Sequence, residues 1–131
     1  MLACGGGGSS KSGVPNRAQL FRNTDLVTEI DFKRELVLDC FPYNCEQSLI
    51  VVTIERLYLQ SYQDNKFSSV CDLEIRRDPQ ALAFFEQAVY LAYPDTILVY
   101  DIENNALRMR EEIPITNNSE KISKLLIYLQ D

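Results

Sequence analysis

Apolar and polar residues alternate along several short stretches of this chain and recur at helical spacing along one. Val27–Phe32 (VTEIDF) sets Thr28, Ile30 and Phe32 against Val27, Glu29 and Asp31, the period-two pattern of a half-exposed strand. Lys33-Arg34 then predicts a reversal into a second strand, Glu35–Cys40, with Leu36 and Leu38 on one face, before Pro42, Tyr43 and Asn44 break the run. Leu49–Leu59 (LIVVTIERLYL) is apolar and β-branched at its start, which favours a strand, with a helix as the alternative. Asp64-Asn65 forms a turn, and Phe67–Ile75 is the strand returning from it.

After Asp78 the pattern changes. Leu82, Phe85, Val89, Ala92 and Tyr93 recur at helical spacing, and Ala81, Phe84, Ala88 and Leu91 widen that apolar face. Asp78 suits an N-cap, and Pro79 at the first helical position loses nothing by lacking an N–H. The spacing therefore predicts a helix buried over most of its surface, with Gln80, Ala83, Glu86, Gln87 and Tyr90 toward water and Pro94-Asp95 at its end. Thr96–Ile102 then reads as a buried strand, Asn104-Asn105 as a two-residue hairpin turn, and Leu107–Ile113 as the returning strand. A last helix is capped at Asn117, Asn118 or Ser119, with Ile122, Leu125, Leu126 and Leu129 in one stripe. The predicted class is α+β: a single small domain with a largely antiparallel sheet, one buried central helix and a C-terminal helix. No internal repeat is visible.

Composition sharpens this picture at its start. All five glycines lie within the first 13 residues, so the rest of the chain must turn on Asn, Asp, Pro or Ser. Residues 1–23 carry Lys11, Arg17 and Arg22 and no acid, while all 19 acids of the chain lie beyond them. The reading is a flexible basic Gly/Ser-rich tail over 1–23 and an acidic folded domain over 24–131. An acidic domain is repelled by phosphate backbones, so nucleic acid is not the expected partner. Histidine is absent, which removes the commonest general base and metal ligand.

Leu2-Ala3-Cys4, followed by Gly5–Gly8 and Ser9-Ser10, resembles the cleavage region and tether of bacterial lipoproteins. The resemblance covers about ten residues. It implies that Cys4 is the lipidated residue, that the cut falls after Ala3, and that a signal segment lies upstream of residue 1. It also implies a lipid-anchored place in the cell envelope, the membrane being met only through that anchor. The alternative is a cytoplasmic protein in which Cys4 is an ordinary thiol. The phosphate-loop pattern is approached by Gly5–Ser12 (GGGGSSKS), but Ser10 replaces its second glycine, and Gly13, Val14 and Pro15 follow where its helix should begin.

Cys40 and Cys45 flank Phe-Pro-Tyr-Asn, and Cys71 lies on a separate strand. In an oxidising compartment Cys40–Cys45 is the first candidate bridge, with Cys40–Cys71 and Cys45–Cys71 as alternatives, against a reading of three partly buried thiols. No metal site is predicted, because this spacing without histidine lacks a fourth ligand. No cofactor is predicted either. Carboxylate pairs occur at Glu29/Asp31, Asp72/Glu74, Asp101/Glu103 and Glu111/Glu112. The i, i+2 pairs among them arise on the wet side of any strand, and no catalytic residue is assigned. Among the aromatics, Tyr58, Tyr62, Phe67 and Tyr100 are weighed as core against interface, while Phe84, Tyr90 and Tyr93 on the expected central helix are the leading interface candidates. The function these features imply is a non-enzymatic binding or assembly module with a protein partner. Its alternatives are a cytosolic adaptor or complex subunit and a carboxylate-based hydrolase.

Overall fold

In the computed structural model, residues 2–5, 16–43 and 47–115 are described, the first four by their backbone alone. Wherever this part of the chain reverses tightly it does so without glycine. Asp64-Asn65 and Asn104-Asn105 take up positive φ at both positions (53° and 63°, 51° and 60°), as a two-residue type I′ hairpin requires. Asn and Asp tolerate that region because their short polar side chains bond locally. Glu86-Gln87 makes the same turn at 49° and 65° with residues that have no such tolerance.

These turns join strands, and the described residues contain no helix. Three antiparallel sheets result. The first has the order β1-β2-β3, with β1 Leu2–Gly5, β2 Arg17–Arg22 and β3 Asp25–Asp31. The second has the order β4-β5-β6-β7: β4 Val37–Tyr43, β5 Ser48–Thr53, β6 Arg56–Gln63 and β7 Lys66–Glu74. The third is the meander β8 Ala81–Phe85, β9 Ala88–Ala92, β10 Thr96–Glu103 and β11 Ala106–Pro114. The chain divides into two compact units, Met1–Arg77 and Asp78–Asp131.

The α+β class is thus corrected to all-β, and the buried central helix after Asp78 is two strands. Asp78 sits at φ 60°, whereas an N-cap needs extended backbone. Instead of opening a helix, the chain bonds Gln80 N–H to the Ala92 carbonyl at 2.8 Å, and β8 pairs with β9 from Ala81↔Ala92 to Phe85↔Ala88. An apolar run is ambiguous between a buried helix and a buried strand, and Val89 with the aromatics Phe84, Phe85 and Tyr90 favours the strand. The expected C-terminal helix lies outside the described residues.

In the first unit, β1–β3 pack against one face of the second sheet. Ala18, Phe32, Val37, Leu49 and Val51 form the core there, with Ile30, Cys40, Tyr58 and Phe67 around them. The opposite face of β5 and β6 is equally dry, since Ile50, Val52, Leu57 and Leu59 are fully buried. Burial on both faces explains the unbroken apolar run at Leu49–Leu59, which is two strands and the bend at Ile54-Glu55 between them. The composition boundary at residue 24 does not coincide with a structural one, because Ala18 is fully buried on β2. Lys33-Arg34 does not close a hairpin: β3 pairs with β2 and β4 with β5, so residues 32–36 cross between two sheets. Pro42 is accommodated within β4 because that strand ends its sheet. In the second unit, Ala88, Tyr90, Ala92, Ile97, Val99 and Ile115 share one core with Ala83, Phe85 and Ile113 beside it.

Candidate functional site

Polar side chains converge at one place in the first unit, where residues 32–36 meet the end of β5 and the start of β6. The pairing Val37↔Thr53 and the bond from Ile54 N–H to the Leu36 carbonyl, 3.0 Å, bring Glu35 over this corner. The fully buried Thr53 hydroxyl lies 2.9 Å from Glu35 Oε1 and accepts from the amides of Glu55 and Arg56. Tyr58 donates its hydroxyl to Glu35 Oε2 at 2.5 Å, and its ring lies 5.0 Å from that of Phe32. Burial, followed by the hydrogen bond to Glu35, raises the Tyr58 phenol well above the usual tyrosine value. Beside it Arg56 Nη1 holds Asp72 Oδ2 at 2.6 Å across β6 and β7.

This arrangement fixes position. Both Glu35 oxygens face hydroxyl groups, and the Tyr58 proton is committed to a carboxylate. The crossing segment 32–36 is pinned to the second sheet by side chains at a place where no strand ladder runs between them.

Several other carboxylates are also engaged. Glu29 accepts from Gln19 and pairs with Arg17, and Asp31 accepts the Lys33 amide at 2.8 Å. Asp101 pairs with Arg110, Glu103 with Arg108, and Glu112 lies 3.5 Å from the Thr96 hydroxyl. Such exposed pairs contribute roughly 0–1 kcal/mol each. Each carboxylate pair flagged in the sequence has at least one member so occupied. Among the described residues no three acidic or cysteine side chains gather as a metal would need.

Of the three candidate bridges, Cys40–Cys71 is corrected, while Cys40–Cys45 and Cys45–Cys71 involve a residue outside the described ones. No disulfide forms among the described residues, and Cys40 and Cys71 are both half-buried. Register shows why these two do not bridge. Cys40 pairs with Val51, which pairs with Tyr58, whereas Cys71 pairs with Leu59, the neighbour of Tyr58 on the opposite face. They stand on opposite faces of the sheet, three strands or roughly 14 Å apart, beyond the reach of a disulfide. Cys45 lies outside the described residues, and only the backbone of Cys4 is described, opposite Ala18.

Of the interface candidates, Tyr90 is 5% exposed and Tyr93 is 1% exposed, and Phe84 is half-buried on β8. The large apolar side chains that do reach solvent are others: Leu26, Val70 and Met109, at 50%, 40% and 51%. Each lies on a strand that ends its sheet, β3, β7 or β11. Each also lies at a β-bulge. Leu59 faces Cys71 but Gln60 faces Ser69, so Val70 is the extra residue. Val99 faces Glu111 but Tyr100 faces Met109, leaving Arg110 extra, and Leu20/Phe21 face Thr28/Leu26, leaving Val27 extra. A bulge re-aims side chains and steepens the local twist. The sequence carried a signal for Val70, which falls out of phase with Phe67, Cys71 and Leu73.

No protein-family model matches this chain, and no curated protein matches it. Its function must therefore be argued from these residues.

Proposed function

We propose that this protein is a non-enzymatic binding or assembly module that contacts a protein partner through apolar side chains on its sheet edges, either Leu26 and Val70 of the first unit or Met109 of the second. The observation that carries the reading is the coincidence of three features at each position: an edge strand, a bulge and an exposed large apolar side chain. The same strands are guarded against simple edge-to-edge pairing. β11 carries Arg108, Arg110, Glu111, Glu112 and Pro114, and β7 carries Lys66, Asp72 and Glu74. Charges, proline and bulges discourage the addition of any further strand, so recognition falls to side chains. Replacing Leu26, Val70 or Met109 by Glu, one at a time, tests this. Surface changes of this kind alter stability by less than about 0.5 kcal/mol. A protein captured from the native source by the wild-type chain is expected to be lost by at least one variant whose thermal midpoint is unchanged. Capture that survives all three changes contradicts the reading.

The place of work is argued from the N-terminus. The Leu2-Ala3-Cys4 and Gly/Ser resemblance supports an envelope lipoprotein anchored through Cys4. The pairing of Cys4 with Ala18, fully buried in the core, favours the second reading, a cytosolic adaptor whose first residues stay in the sheet. Intact mass of the protein from its native source decides between them. A chain beginning at Cys4 and heavier by acyl groups supports the anchor, and an unmodified mass supports the adaptor.

A further inference from the structure

We infer that the third sheet repeats the second strand for strand, with a period of forty residues over the last three strands and forty-two over the first, a repeat that residue identity conceals. β6 runs Arg56–Gln63 and β10 runs Thr96–Glu103; β7 runs Lys66–Glu74 and β11 runs Ala106–Pro114. Every one of these boundaries differs by forty. So do the turns, since Asp64-Asn65 and Asn104-Asn105 are the positive-φ pairs of the two hairpins. The bulges fall between Leu59 and Gln60 in one hairpin and between Val99 and Tyr100 in the other. The bonds that close each meander also correspond. Tyr62 N–H bonds the Gln47 carbonyl and Ile102 N–H the Gln87 carbonyl; Ile75 N–H bonds the Glu55 carbonyl and Ile115 N–H that of Asp95.

Burial follows the same order in both sheets: a half-buried first strand (β4, β8), two buried strands, and an exposed last strand. Between residues 48–75 and 88–115, however, only Asn65/Asn105 and Ile75/Ile115 are identical. What recurs is the backbone requirement: turn-tolerant residues, a bulge, and apolar residues on central strands. Four antiparallel strands recurring at a spacing of about forty residues is also the arrangement of blades in propeller-type repeat proteins. The two meanders are accordingly units of one tandem design, and this stands independently of the partner proposed above.

Interchangeability is the test. In the full chain, Tyr100–Met109 replaces Gln60–Ser69, which exchanges one hairpin tip for its counterpart beyond the bulge. A control inserts Asp101–Arg110 at the same place, one residue out of register, which turns every side chain to the other face. The matched chimera is expected to keep a single cooperative thermal transition and a strand-type circular dichroism spectrum, and the control to lose them. A matched chimera no better than the control overturns the inference. In the wild type, amide exchange is expected to protect Tyr62 with Ile102 and Ile75 with Ile115. Protection of one member of each pair without the other overturns it equally.

Discussion

Glu35 shows how much of this molecule turns on single polar side chains. Its carboxylate meets the hydroxyls of Thr53 and Tyr58 and so fastens residues 32–36, which cross between sheets without a ladder of their own. Tyr58→Phe removes one donor while keeping the ring against Phe32. The expected loss is about 1 kcal/mol at neutral pH, as for a partly exposed hydrogen bond, read as a lower urea midpoint with unchanged slope. The pH dependence has a defined sign. The Tyr58 phenol is raised in the folded state by burial and by Glu35, so its contribution is whole below the ordinary tyrosine value near 10. That contribution fades as pH rises past 10, and Tyr58→Phe is expected to lose stability less steeply over that range than the wild type. None of this was legible in the sequence. Glu35 reads there as one more charged strand residue, and its partners lie 18 and 23 positions away.

Among the elements, two hairpins whose turns carry Asn or Asp were readable, whereas β2 and its turn at Asn23 were read as part of the tail. Asp64-Asn65 and Asn104-Asn105 announce their hairpins, and β7, β10 and β11 lie within a residue or two of where alternation and turn chemistry put them. The hairpin β8–β9 was not readable, because Glu86-Gln87 carries no turn signal and the apolar residues around it also fit a helix. Its turn holds two poorly suited residues at φ 49° and 65°. The double change Glu86→Asn, Gln87→Gly supplies the pair that a type I′ turn prefers and is expected to stabilise the protein by about 1 kcal/mol. A raised thermal midpoint checks it. A helix through this region would instead be weakened by glycine. The bulges were hidden for a related reason: Phe67 and Cys71 share a parity in sequence yet face opposite sides, since Val70 intervenes. Period-two reading fails across such a residue, and the candidate contact positions lie there.

For the whole molecule, composition constrained chemistry more tightly than architecture. The absence of histidine and the scatter of acids led away from a catalytic site at the level of sequence, and six of the flagged carboxylates hold an arginine, a hydroxyl, a side-chain amide or a backbone amide. The architecture depended on one ambiguous stretch, residues 81–92, whose reading as helix or strand decides between α+β and all-β. The third sheet, its edge at β11, the exposure of Met109 and the forty-residue repeat all depend on that stretch being two strands. Backbone NMR of the full chain tests it most directly. Negative Cα secondary shifts are expected through Ala81–Phe85 and Ala88–Ala92, with cross-strand contacts joining Leu82 to Leu91 and Phe84 to Val89. Positive Cα shifts running unbroken from Ala81 to Ala92, with contacts between residues three apart, would contradict the account.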